Sequence, residues 1–154
     1  MLRITSICLL HVMALSASSQ LADYSKWRPS VMVMNCGVVD TTTLNTSIRN
    51  LLALDTNLLT KNMNMYYEDL GLCYWVKSGV NVESEYLQLS IVTTQKALHH
   101  NPTSTKAFWS LAFGYTFAGD CERGKYYMEK YKQFTKKKYW DLEQEQQLFA
   151  NCSI

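Results

Sequence analysis

The 154-residue sequence predicts an all-α fold. Apolar residues recur at helical spacing over successive stretches joined by short links, and apolar–polar alternation never lasts long enough to demand a sheet. Composition agrees. With 47% hydrophobic and 18% charged residues, 2 Pro and 6 Gly, collagen-like, low-complexity and wholly disordered chains are excluded. A chain of this size buries roughly two thirds of its unfolded surface and needs no metal to fold. Fifteen Lys and Arg against 13 Asp and Glu give a formal charge of +2, too small for an overall nucleic-acid binder.

Residues 1–19 precede the helical pattern. They carry Arg3, a largely apolar run from Ile4 to Ala17 and the small residues Ala17, Ser18 and Ser19 before Gln20, the order of a secretory signal peptide. The apolar run is about 14 residues long, short of the ~20 that span a bilayer. Cleavage before Gln20 leaves Cys36, Cys73, Cys121 and Cys152. An even number in an exported chain predicts two disulfides and a secreted or periplasmic location. Asn45-Thr46-Ser47 and Asn151-Cys152-Ser153 match the glycosylation acceptor pattern.

Residues 20–40 hold Trp27, Pro29, Cys36 and Gly37 without a sustained period and form an irregular lead. The helical domain covers 41–154. Its first helix is expected from Thr41 to about Leu59, where Leu44, Ile48, Leu51, Leu52, Leu54, Leu58 and Leu59 recur behind capping threonines. The second runs from about Met63 to Lys77 and stops at Ser78-Gly79. A third spans Val82 or Glu83 to His99, ending before Asn101-Pro102. The fourth runs from near Ser104 to Gly119-Asp120, the fifth from Glu122 to Phe134 and the sixth from Tyr139 to Asn151.

Within this series the pattern Phe108-x-x-Leu111-Ala112-x-x-Tyr115-x-x-x-Gly119-Asp120, followed by Gly124, Met128 and Tyr131, resembles a tetratricopeptide repeat. Ala97-Leu98-x-x-x-Pro102 falls where the previous repeat should close. Tyr67-x-x-Leu70-Gly71-x-x-Tyr74 gives a second copy 41 residues upstream instead of 34, with the extra length around Gly79 to Glu85 in the turn or the second helix. The resemblance covers residues 64–136 and implies a short stack of antiparallel helix pairs with N- and C-terminal capping helices. Gly71 or Ala112 would allow close backbone approach and Gly119 a sharp turn. Gly124, Tyr131, Lys136, Ser90 and Thr94 depart from the pattern. An antiparallel cap brings the ends of the last helices together, which favours Cys121–Cys152 and, by remainder, Cys36–Cys73 among three possible pairings.

In that register the concave side displays Met65, Glu68, Leu72, Trp75 and Val76 from one repeat and Lys106, Trp109, Phe113, Thr116 and Phe117 from the next. Such repeats resemble peptide-binding scaffolds, and an aromatic trough holds an extended segment or helix by burial and stacking. Helix one or the lead folding back would instead make these residues core. Trp109 and Phe113 do not match the lysine and asparagine arrangement of carboxylate-clamp repeats, so chaperone-tail binding is disfavoured. The second candidate is a basic stretch of Arg123, Lys125, Lys130, Lys132, Lys136, Lys137 and Lys138 against Glu129, a balance of +6 that suits an acidic protein, anionic lipid or polysaccharide. A solvated helix face is its plainer explanation.

Catalysis is not indicated. Adjacent His99 and His100 diverge on a helix and lack metal-ligand spacing. Glu143 and Glu145 are no acid/base pair by spacing alone, and the serines lack a nucleophile-elbow glycine pattern. The expected function is non-catalytic binding of a protein or peptide, without cofactor, metal or nucleic acid, and with the membrane met only during export. The alternative is a disulfide-stapled secreted factor engaging a receptor or anionic matrix through its basic face; a hydrolase is the remotest reading.

Overall fold

A computed structural model describes residues 41–59, 62–81, 84–150 and 152. The proposed signal peptide, the irregular lead and Cys36 lie outside them. Among the described residues there are six α-helices and no strand: α1 Thr41–Leu52, α2 Met63–Asn81, α3 Ser84–His100, α4 Thr105–Phe117, α5 Cys121–Phe134 and α6 Leu142–Phe149. Helices α2 and α3 form one antiparallel pair and α4 and α5 a second. Helix α3 also packs on α4, and α2, α4 and α6 touch in sequence along one layer. Helix α1 closes one end of the stack on α2, and α6 closes the other on α4.

The α1 cap buries Leu44, Ile48 and Leu51 at i, i+4 and i+7 against Tyr66, Leu70, Cys73 and Tyr74 of α2. Each fully buried leucine there contributes about 1.5–3 kcal/mol. This helix is shorter than the leucine pattern predicts. It stops at Leu52, and Asp55 caps a 3₁₀ turn, Thr56–Leu58, by accepting from the Asn57 N–H at 3.0 Å. The turn brings Leu59 back into the same core.

Helix α2 overruns its predicted stop. Ser78 bonds back to the Trp75 carbonyl at 2.6 Å instead of ending the helix, and Gly79 does not adopt a left-handed conformation. Of the stretch Gly79 to Glu85, expected in the turn or the second helix, residues 79–81 extend α2 and residues 84–85 begin α3. The two polar departures in α3 are buried for a reason: Ser90 Oγ donates to the Gly71 carbonyl at 2.8 Å, and Thr94 Oγ1 lies where a Cβ on Gly71 would stand, 2.5 Å away. Gly71 thus sets the separation of the first pair.

Ser104 begins α4 by accepting from the Ala107 N–H at 3.2 Å. Gly119, at φ +83°, turns the chain into α5, and Asp120 caps that helix through the Arg123 N–H at 2.9 Å. The last helix begins later than predicted, at Leu142, because Lys137–Tyr139 form a 3₁₀ turn and Asp141 caps the Gln144 N–H at 2.9 Å. Ile91, Leu111 and Tyr115, backed by Leu87, Leu98 and Tyr127, make the core where α3 packs on the second pair.

Cys121 and Cys152 are bridged across a sequence separation of 31, joining the start of α5 to the end of the α6 cap. Among the described residues Cys73 is a buried free thiol; Cys36, its expected partner, is outside them. A disulfide fits an extracellular or periplasmic location. No helix among the described residues is long and apolar enough to cross a membrane.

Candidate functional site

The layer formed by α2, α4 and α6 carries a continuous line of rings. Trp75 meets Phe117 edge-on at 5.2 Å and Phe113 at 6.5 Å; Phe113 meets Trp109 at 4.8 Å; Trp109 meets Tyr131 of α5 at 4.9 Å. The two indoles therefore share one side of the molecule, with Phe113 between them. A cavity of about 250 Å³ opens among Leu72, Trp75, Trp109, Phe113 and Phe117, with Ser90, Ser110 and Gln144 as its polar residues. Trp75, Trp109 and Phe113 are half-buried, and Phe117 is 65% exposed.

Spacing produces this line. Residues 109, 113 and 117 stand one helical turn apart on α4, and 72 and 75 stand on the facing side of α2. Helix α1 packs on α2 through a core that Leu72 also borders, and it contributes no residue to the trough cavity. The lead, the other expected occupant, is outside the described residues.

Four of the expected trough residues have other roles. Thr116 donates to the Ala112 carbonyl at 2.8 Å and packs onto Gly124 of α5, beside Phe149 of α6. Val76 packs against the α1–α2 core. Glu68 is buried and accepts from Ser104 Oγ at 2.6 Å. Lys106 is held by fully buried Asp69 at 3.1 Å and lies 3.9 Å from Glu68. This polar cluster ties α2 to α4 at one end of the trough rather than lining it. Met65 is half-buried on α2. Sequence reasoning missed Tyr131, Ser110 and Gln144. Tyr131 was expected only as a departure from the resemblance; a large aromatic ring at that position was itself the signal.

The basic stretch does not form one face. Arg123 pairs with Asp120 at 2.5 Å and lies 4.3 Å above the Tyr115 ring. The Arg123 backbone and side-chain hydrogen bonds hold the Asp120 carboxyl below its ordinary range. Lys132, with 17% of its side chain exposed, is clasped by Glu145 at 2.5 Å and Glu129 at 3.3 Å. Burial opposes its charge, but the two carboxylates raise it above the ordinary lysine value. Lys130 reaches Gln133 at 3.4 Å. Lys125 is half-buried, and Lys136, Lys137 and Lys138 are exposed at the α5–α6 turn.

A larger recess of about 720 Å³ lies where α3 meets the α4–α5 turn, lined by Gln88, Gln95, Tyr115, Asp120 and Arg123 among others. Arg123 is paired there with Asp120, and Gln95 donates to the Tyr115 hydroxyl at 2.8 Å, so these groups already satisfy one another. His99 and His100 meet edge-on at 5.4 Å, and His100 stacks on Tyr67 at 5.5 Å. Among the described residues no group of three His, Cys, Asp or Glu side chains is arranged to hold a metal ion. No family model matches the chain, and neither a curated protein nor a solved structure matches it.

Proposed function

We propose that this is an exported, non-catalytic binding protein that takes an apolar peptide segment of a partner protein in the trough between α2 and α4. The observation that supports it is the half-exposed ring line Trp75–Phe113–Trp109, with Phe117 projecting beside a cavity of about 250 Å³. That volume fits one or two large apolar side chains, and aromatic walls reward them by burial and edge-to-face contact. The resemblance of residues 64–136 to tetratricopeptide repeats favours the same reading, since stacked helix pairs of that kind bind peptides along the layer of their first helices. The signal-peptide pattern of residues 1–19 and the Cys121–Cys152 bridge favour export.

The test uses the full-length mature chain with its disulfide formed. Crosslinking in the native exported fraction, followed by pull-down and mass spectrometry, identifies the partner. Phe117→Ala and Trp109→Ala are then compared with the wild type. Retained folding with at least a tenfold loss of capture supports the trough. Unchanged capture by both folded variants contradicts it.

A further inference from the structure

Once the ion pairs are drawn, the basic stretch reduces to a small and distinctive feature. Lys136, Lys137 and Lys138 follow one another in the turn between α5 and α6, all exposed, and among the described residues none has a carboxylate within ion-pair distance. Nearby acids are engaged: Asp141 caps α6, Glu143 accepts from Gln147 at 3.3 Å, and Glu129 and Glu145 hold Lys132. Flanking the lysines in the chain are Phe134, Tyr139 and Leu142, which are 49%, 61% and 55% exposed; Phe134 has one face stacked on Phe108 at 5.6 Å. The turn is fastened from both sides. Tyr131 donates its hydroxyl to the Tyr139 carbonyl at 3.2 Å, and the Trp140 indole N–H donates to the Thr135 carbonyl at 3.1 Å.

We infer that this turn, residues 134–142, is a docking tip for an anionic phospholipid surface. Charge complementarity supplies the attraction, since each lysine near such a surface strengthens binding several-fold. The apolar groups decide which anion is met. A sulfated polysaccharide would satisfy the lysines and leave Phe134 and Leu142 in water, whereas a lipid interface takes up the lysines at the headgroups and the rings and leucine at the acyl boundary. Tyr139 suits that boundary, with an apolar ring and a polar tip, and the Lys138 ammonium lies 4.8 Å from its ring centre. A merely solvated turn gives no reason for Tyr139 and Leu142 to stand exposed beside lysines that no described carboxylate pairs. The inference does not rest on the trough reading: no residue of 134–142 lines the trough cavity, although Tyr131 touches both.

Sedimentation with vesicles of phosphatidylcholine containing about 30% phosphatidylserine, against phosphatidylcholine alone, tests it on the mature oxidised chain. The expected result is binding to the anionic vesicles only. Lys136→Gln with Lys137→Gln and Lys138→Gln should weaken it on the order of a hundredfold, and Tyr139→Ser with Leu142→Ser about tenfold or more. These exposed substitutions keep the Tyr131–Tyr139 backbone bond and should keep the helical circular dichroism. Phe117→Ala should bind vesicles like the wild type. Absence of sedimentation, equal sedimentation with neutral vesicles, or retention on heparin alongside vesicle binding that Tyr139→Ser and Leu142→Ser leave unchanged each overturns the inference.

Discussion

Burial pushes the Cys73 thiol from 9.0 up to about 12, with desolvation the largest cause, Asp69 adding to it and Lys106 opposing it. The folded chain therefore keeps a proton that the unfolded chain has released. Native stability from this group is complete below pH 9 and drains away as pH rises toward 12. Between pH 9 and 10 the loss should approach about 1.4 kcal/mol per pH unit in urea unfolding, and Cys73→Ala should flatten that slope. A wild-type slope already flat over that interval contradicts a buried free thiol. Above pH 10, Tyr66 and Tyr74, both raised by burial first, push in the same direction. A second residue makes an opposite kind of prediction. Among the described residues Thr135 Oγ1 is buried without a hydrogen-bond partner, and its backbone, at φ −113° and ψ 137°, suits a β-branched residue. Thr135→Val should raise the unfolding free energy by about 1 kcal/mol, measured by denaturant titration.

At the scale of elements, the helices were legible wherever a cap or a close approach left a residue-level mark. Ser104, Asp120 and Gly119 announced the bounds of α4 and α5 because each does local work that only its residue type does well. Ser104 also supports Glu68, so Ser104→Ala should cost about 2–4 kcal/mol, from a lost cap together with a buried carboxylate short of a donor. Gly71→Ala should cost about 1–3 kcal/mol in the same assay, because its Cβ would meet Thr94 Oγ1 at 2.5 Å. Boundaries went wrong where the signal was weaker than the packing. Ser78-Gly79 reads as a stop, yet the Trp75 carbonyl absorbs the serine hydroxyl and α2 continues. The leucines after Leu52 read as helix, yet they serve a 3₁₀ turn that folds Leu59 into the core. Both outcomes depend on neighbours that periodicity does not reveal.

For the whole molecule, the all-helical pairing was legible because amphipathic stretches joined by short links must pack on one another, and Trp75 and Trp109 do lie on one side with Phe113 between them. Charge pairing did not follow. Lys132 and Glu145 are 13 residues apart and find each other only when α6 folds over α5, so a run of basic residues looked like one patch until the stack was assembled. The same cap rests on the Cys121–Cys152 bridge, which closes a separation of 31 residues. Its reduction should lower stability by about 3–4 kcal/mol and should remove amide-exchange protection from α6 before α2 and α3. The most direct measurement of the account as a whole is selection from a random peptide library on the oxidised chain, followed by titration of the selected peptides against wild type and Phe117→Ala. That side chain is 65% exposed, so its loss should leave the fold intact. The trough predicts apolar or aromatic peptides that shift the tryptophan fluorescence of the chain and bind Phe117→Ala at least tenfold more weakly. Peptides that bind both chains equally and leave the tryptophan emission unchanged would contradict it.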